Sequence, residues 1–320
     1  MGKLASAHDM EKIEMRAAYC DSLIEAARVD PQIVTLDCDL QSSMGTKRFL
    51  EKYPERAFNC GIQEANACGV AAGLSAVGYT PFVHSFAVFT SRRMYDQAFI
   101  SCAYAGLNVK LIGGDAGVSA AVNGGTHMAF EDVGIMRNIP GMTIIEASDS
   151  TMMKSLVPQV ASMYGMVYMR MPRKTVRKIY NDNTNFKIGK AETLREGKDV
   201  SLIASGLCVY EALVAAEMLE KEGISAAVMD VFTIKPIDRD SIVACARKTG
   251  AVVTAENHNI YNGLGSAVAE VLSEEAPTPL IRVGVQDEFG EVGPQDYLME
   301  RFSLTAKAIC EKAKLVIAKK

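Results

Sequence analysis

Apolar residues recur along this chain with two alternating periods. From Glu11 to Val29 they fall at Ile13, Met15, Ala18, Leu23, Ile24 and Ala27, the spacing of one helical face, and Asp30-Pro31 ends the helix. Gln32 to Leu36 is short and β-branched, which predicts a strand that brings Asp37 and Asp39 to its carboxyl end. The alternation returns in a helix over Ser91–Ala105, strands over Asn108–Ile112 and Met142–Ile145, a helix over Ser150–Met163 and a strand over Gly165–Met169. Such a series predicts a doubly wound parallel sheet, with its ligands at the carboxyl ends of the strands. Residues 175 to about 188, with Asn181-Asp182-Asn183-Thr184-Asn185, are polar and turn-rich and predict a linker. Beyond it come a strand over Val200–Ala204, a turn at Ser205-Gly206, a helix over Val209–Glu222 and strands over Ser225–Met229 and Ala251–Ala255. With 320 residues the chain is too long for one ordinary core, so the pattern predicts an α/β protein of two consecutive domains, 1–178 and 189–320.

One polar residue breaks the apolar pattern. Between Arg56 and Arg92 the only formally charged residue is Glu64, at the start of an Ala-rich run predicted to be a helix apolar on nearly every side. Gly69 and Gly73 would let another backbone come close, and the helix is expected in the interior. A carboxylate buried there needs a hydrogen-bonding partner, or its pKa rises until it holds a proton. The helix dipole opposes that rise by a fraction of a kcal/mol, and desolvation is the larger effect. Both outcomes are properties of catalytic acids; the plain alternative is a buried acid paired with a distant Lys or Arg.

Composition narrows the partners. A net charge of -4 with mixed signs and no basic run argues against nucleic acid, leaving small molecules and proteins. No apolar stretch approaches the length of a membrane span, and the match of Met1-Gly2-Lys3-Leu4-Ala5-Ser6 to the bare myristoylation pattern reads as coincidence. The eight cysteines show no metal-type spacing and read as reduced core thiols of a cytoplasmic protein. Asp37 and Asp39 lack a third ligand, so no metal site is expected on this chain. The runs Gly113-Gly114-Asp115-Ala116-Gly117 and Asn123-Gly124-Gly125-Thr126-His127 make no dinucleotide or P-loop signature and are expected to be turns beside the site.

Residues 59–97 carry a more specific signal. Gly61-Ile62-Gln63-Glu64 opens the Ala/Gly-rich helix, and Phe82-Val83-His84-Ser85-Phe86-Ala87-Val88-Phe89 then leads through Arg92 and Arg93 into Tyr95-Asp96-Gln97. This resembles the pyrimidine-binding domain of thiamine-diphosphate enzymes of the transketolase family. The resemblance implies that Glu64 hydrogen-bonds the ring nitrogen of the cofactor's aminopyrimidine and that Phe86 and Phe89 stack on the ring. It also implies that Asp39-Leu40 contacts the cofactor, and it places Arg92 in the cofactor-binding set. His127 is implied to face the sugar, binding hydroxyls or relaying protons, against the alternative of a capping or core histidine. Arg173, in Arg170-Met171-Pro172-Arg173-Lys174, is implied to bind the substrate phosphate, against the alternative of a solvated basic cluster. Asp115 and Asn123 depart from the family pattern, with an acid where many members have a phosphate-facing His and an amide where they have an Asp, so the ketose could be phosphorylated, unusual or sulfonated.

The resemblance covers the whole chain but only the second half of a full transketolase. Residues from Asp230 to Asp238, Glu256-Asn257-His258 and Gly263-Leu264-Gly265 resemble the family's C-terminal domain, where packing and subunit contact are expected, not chemistry. The turn Ser205-Gly206 could bind an anion or be a simple tight turn. The Gly-Asp-Gly segment and Asn pair that hold the cofactor diphosphate and a divalent metal such as Mg2+ do not occur in this sequence. The resemblance therefore implies the C-terminal subunit of a split transketolase, active with an N-terminal partner in a twofold heterotetramer. Self-association would cover an apolar surface expected around Phe82, Phe86 and Phe89. The alternatives are the beta subunit of a 2-oxo acid dehydrogenase and a non-catalytic assembly subunit.

Overall fold

A computed structural model describes residues 3–320; the Met1-Gly2 start of the myristoylation match lies outside the described residues. The apolar runs form β1 (Ile33–Asp37), β2 (Ala57–Asn59), β3 (Thr80–Phe86), β4 (Lys110–Gly114), β5 (Thr143–Glu146) and β6 (Val167–Met171), followed by β7 (Glu192–Arg195), β8 (Val200–Ala204), β9 (Ala226–Asp230), β10 (Thr233–Lys235), β11 (Val252–Asn259) and β12 (Leu280–Val285). They make a seven-stranded sheet in the order β10-β5-β6-β4-β3-β1-β2 and a five-stranded sheet in the order β12-β11-β8-β9-β7. Both are parallel apart from their edge strands β10 and β7. Every residue of β1, β3, β4, β5 and β6 is buried, as a sheet covered by helices on both faces requires. Helices Met15–Val29 and Ser150–Ser162 pack one face through Met15, Leu23, Leu156 and Val157. Helices Glu64–Ala76 and Ala87–Asp96 pack the other through Ala67, Cys68, Ala71 and Met94.

Several expectations change. The helix predicted over Ser91–Ala105 begins at Ala87, and after Asp96 it widens into a π-helical stretch, Gln97–Tyr104. Gly113 and Gly114 end β4 and form no turn; a Cβ on Gly113 would lie 2.9 Å from the Ala87 Cα, so the glycine lets that helix sit on the strand. The Glu64 helix is only half interior: Ala65, Asn66, Gly69, Val70 and Gly73 are exposed, and nothing lies where a Cβ on Gly69 or Gly73 would point. The expected apolar surface around Phe82, Phe86 and Phe89 is absent, because β3 is a central strand with helices over it; Phe82 and Phe86 are buried and Phe89 half-buried. Exposed apolar side chains stand instead at Phe58, Ile62, Val70, Ile100 and Tyr104. Among the described residues no helix is long and apolar enough to cross a membrane, and no group of three or more His, Cys, Asp or Glu could hold a metal.

The two sheets are tied together by buried polar groups. β10 crosses from the second half of the chain to pair with β5, and the linker is anchored by Asp149, whose carboxylate accepts the amides of Ile179 at 2.9 Å and Tyr180 at 2.8 Å while capping Met152. Arg170 on β6 is buried; its guanidinium donates to Asp132 at 2.7 and 3.1 Å, to Glu146 at 2.7 Å and to the carbonyl of Asn257 at 3.1 Å. Glu146 in turn accepts the Ser205 hydroxyl at 2.7 Å, so the turn that opens the helix Cys208–Lys221 does hold an anion, one from inside the chain. Gly206, at φ 53°, is required there, since a Cβ would meet the Glu146 Oε1 at 2.4 Å. Burial raises the Glu146 pKa, and the Arg170 charge opposes the rise. Arg170→Ala should therefore cost about 3–5 kcal/mol of stability in urea denaturation, since two carboxylates lose their buried counter-charge. A loss below about 1 kcal/mol would show that the pair is not what joins the sheets.

Candidate active site

Because its core strands are parallel, β1, β2, β3, β4 and β6 all end at one edge of the first sheet, and the candidate residues gather there. After β2 the chain turns at Gly61, φ 71°, and enters its helix with Glu64 as the first residue. Glu64 is buried and partnered: the Ser85 hydroxyl donates to Oε1 at 3.1 Å, and the Arg93 Nη1 donates to Oε1 and Oε2 at 3.1 and 3.0 Å. The buried carboxyl thus has its partner, and the chief one is an arginine 29 residues away, the plain alternative that the sequence left open. Arg93 also lies over the Phe89 ring at 3.9 Å, one helical turn on from it. Phe86 ends β3, and its ring centroid is 6.3 Å from that of Phe89. His127 stands edge-on to both rings, at 5.8 and 5.2 Å, with its Nδ1 3.0 Å from the Thr126 hydroxyl.

The contacts continue beyond Phe86. The Arg173 guanidinium is 6.0 Å from that ring, and its Nε is 3.4 Å from the Asp115 Oδ1. The Asn123 amide reaches the Asp115 Oδ2 at 3.4 Å. Asp115 is buried with φ 54°, and burial pushes its pKa up to about 6 against the opposing charge of Arg173. The Asp115 Oδ1 and the Arg173 Nε are both buried without a hydrogen bond. They are paired by charge with hydrogen-bonding capacity left over, and unmet capacity of this kind suits a ligand. One run of contacts thus joins Glu64, Arg93, Phe89, Phe86, His127, Arg173, Asp115 and Asn123.

The remaining candidates lie apart from that run. Asp39 follows the end of β1 with φ 62°, exposed and held by Asn59, which accepts its amide at 3.0 Å and donates to its carboxylate at 3.1 Å; Leu40 beside it is half-buried. Asp39 has left the strand and does not share a face with Asp37, which is buried with its Oδ1 on the Thr46 hydroxyl at 2.8 Å and its pKa pushed up to about 7 by desolvation. Behind it the buried His84 takes the Tyr19 hydroxyl at 2.8 Å, and desolvation lowers its pKa to about 4. Arg92 turns to Glu131 at 3.1 Å, and its neighbour Arg93 is the one on Glu64. Sequence reasoning missed Arg93 and Ser85; the i, i+4 spacing of Phe89 and Arg93 is the signal that points to the former.

Known proteins carry the same two units. The description of the transketolase pyrimidine-binding domain matches residues 11–178, and that of the transketolase C-terminal domain matches residues 189–309. The 6-deoxy-6-sulfo-D-fructose transketolase subunit SqwH of a Clostridium species is 52% identical over 311 residues, 97% of each chain. An apulose-4-phosphate transketolase subunit of Phocaeicola vulgatus is 36% identical over 302 residues, 94% of this chain and 96% of the relative. A solved structure described as a split gene transketolase, inactive beta4 tetramer, superposes with a TM-score of 0.89 at 43% identity, covering 96% of this chain and 99% of that one. With family descriptions matching 11–178 and 189–309 on its two successive sheets, the chain belongs to the transketolase family and carries that family's pyrimidine-binding and C-terminal domains.

Proposed function

We propose that this chain builds the pyrimidine and sugar side of a thiamine-diphosphate site completed by a second polypeptide. The chain is a transketolase subunit, and the observation that carries the reading of its site is Glu64, a buried carboxylate beside the Phe86 and Phe89 rings and in line with the Asp115–Arg173 pair. An aminopyrimidine requires a flat apolar face and a carboxylate at its ring nitrogen, and these residues fit it. Bound thiamine diphosphate supplies the carbon acid that accepts a two-carbon ketol unit from a ketose and passes it to an aldose. Glu64 holds the ring nitrogen and its proton, while Ser85 and Arg93 fix the carboxylate. Phe86 and Phe89 stack on the ring and exclude water from it. Asp39, Leu40 and Arg92 line the same edge on the cofactor side. His127, with Nδ1 engaged by Thr126, leaves Nε2 for sugar hydroxyls or a proton.

Arg173 binds the anionic end of the ketose, with Asp115 and Asn123 beside it. At pH 7 a phosphate monoester carries close to two charges and a sulfonate one, so a carboxylate in the pocket penalises phosphate more. The pocket therefore favours a sulfonated ketose, in keeping with the name of the Clostridium relative. The diphosphate and its divalent metal, Mg2+ or another, belong to an N-terminal partner subunit carrying the missing Gly-Asp-Gly segment. Two copies of each chain would form a twofold heterotetramer in the cytoplasm, where the free thiols stay reduced. The exposed small-residue face of the Glu64 helix, with Ile62 next to it, is the surface offered to the assembly. The division between domains is placed between residues 178 and 189.

Three measurements test this reading. Glu64→Gln should preserve the fold, since the amide is nearly isosteric, and lower turnover of the two-chain complex by orders of magnitude with a smaller loss of cofactor binding; wild-type turnover would favour the assembly-subunit alternative. Arg173→Ala should raise KM for anion-terminated ketoses by the equivalent of about 1.5–3 kcal/mol and leave uncharged ketoses nearly unchanged. Equal losses for both classes would remove Arg173 from the anion site. The purified chain alone should bind thiamine diphosphate poorly and transfer no ketol unit, and mixing with the partner, the cofactor and a divalent metal should restore both in a larger species seen by sedimentation. Ketol transfer by the chain alone would overturn the two-chain site.

A further inference from the structure

The segment that carries Asp115, Asn123 and His127 runs from the end of β4 to the helix Asp132–Arg137, and its shape is not set by its own residues. Asp115, Gly117 and Ala121 take left-handed backbone, with φ of 54°, 57° and 48°, which is costly for the two that bear a Cβ. The atoms that hold the start of the segment come from the second sheet. Asn257, buried on β11, accepts the Val118 amide with Oδ1 at 2.9 Å and donates through Nδ2 to the Ala116 carbonyl at 3.0 Å, bridging the two peptides that flank Gly117. A Cβ on Gly117 would lie 2.1 Å from the Asn257 Oδ1, so the glycine and the amide fit only each other. The far end is gripped by the segment after β12: a Cβ on Gly125 would lie 2.1 Å from the Gly290 carbonyl oxygen, and one on Gly124 2.8 Å from Val292. Asn123 lies between these two holds, Asp115 directly precedes the first, and His127 follows the second.

We infer that Asn257 is a positioning residue for the sugar: through Val118 and Ala116 the C-terminal domain sets the backbone that aims Asp115, Asn123 and His127, so this domain has a part in substrate selection beyond packing and subunit contact. The inference rests on the functional reading above for what the segment binds, but the hold itself is independent of that reading. The groups that meet the pyrimidine, Glu64, Ser85, Phe86 and Phe89, stand on β3 and the helices that flank it, which Asn257 does not touch. Loss of the amide should therefore separate sugar recognition from cofactor binding.

The test uses the complex of this chain with its partner, thiamine diphosphate and a divalent metal. Asn257→Ala should raise KM for the ketose about 10-fold or more, the scale of one or two lost buried hydrogen bonds, while cofactor affinity stays within about twofold. Hydrogen exchange on the chain by itself should show the Val118 amide and residues 116–124 losing protection, with the strands unchanged. Asn257→Asp, which keeps the acceptor and loses the donor, should fall between, and it carries the same test if the alanine variant does not fold. Gly125→Ala, which breaks the hold from the other end, should reproduce the KM effect. Unchanged KM and unchanged exchange in Asn257→Ala would overturn the inference, and so would equal losses of ketose and cofactor affinity, which mean a merely structural role. If the wild-type complex transfers no ketol unit, the functional reading fails, and the exchange experiment still decides the hold.

Discussion

The buried guanidinium of Arg170 is the interaction on which the other parts depend. It satisfies Asp132, which begins the helix after the His127 segment; Glu146, which reaches the turn that opens the second domain's first long helix; and the carbonyl of Asn257, whose side chain holds the Asp115 segment. A planar cation with several donors in fixed directions can do this, and a lysine could not. Its burial also makes the arrangement all or none, because any partner left alone would be an uncompensated charge away from water. The two domains are thereby coupled through the floor of the site.

The site itself follows from sheet direction. Parallel strands end together, so residues far apart in sequence, Glu64 after β2, Phe86 at the end of β3, Asp115 after β4 and Arg173 after β6, arrive on one edge without any of them being close in the chain. Glu64 and Arg93 satisfy each other, and Phe89 carries Arg93 on its face, so this side of the candidate site is closed by strong local contacts. The Asp115–Arg173 side is less tightly closed: the Asp115 Oδ1 and the Arg173 Nε meet as an ion pair at 3.4 Å, and neither has a hydrogen bond. Polar capacity is thus held in reserve at the site proposed for an anion.

An incomplete site has a matching incomplete surface. The Glu64 helix buries Ala67, Cys68, Ala71 and Ala72 against the sheet and leaves its small-residue face open, next to Ile62 and Val70. Helices of alanine and glycine gain little stability from propensity alone once glycines interrupt them, so a bare face of this kind implies a partner for the chain that the fold itself does not provide. The uncovered helix begins at Glu64, so a partner seated on it would also border the candidate site.

The sequence by itself determined the alternating α/β architecture and singled out Glu64, because a single carboxyl in a long apolar run is visible without knowing what surrounds it, but it did not mark β2, β3, β7, β10 or β12 as strands. Periodicity located the elements to within a few residues but placed the aromatic surface wrongly, because whether Phe82 and Phe86 face solvent depends on strand order, and β3 is central. Which of Arg92 and Arg93 meets Glu64 turned on which face of their helix packs toward it, and that is set by tertiary packing. The pairing of β10 with β5, the carboxylate under Gly206 and the Asn257 hold on Val118 were decided by tertiary structure alone. Each joins groups that lie far apart in the chain and on opposite sides of the linker, and no local pattern records a contact that exists only when two separate sheets are pressed together.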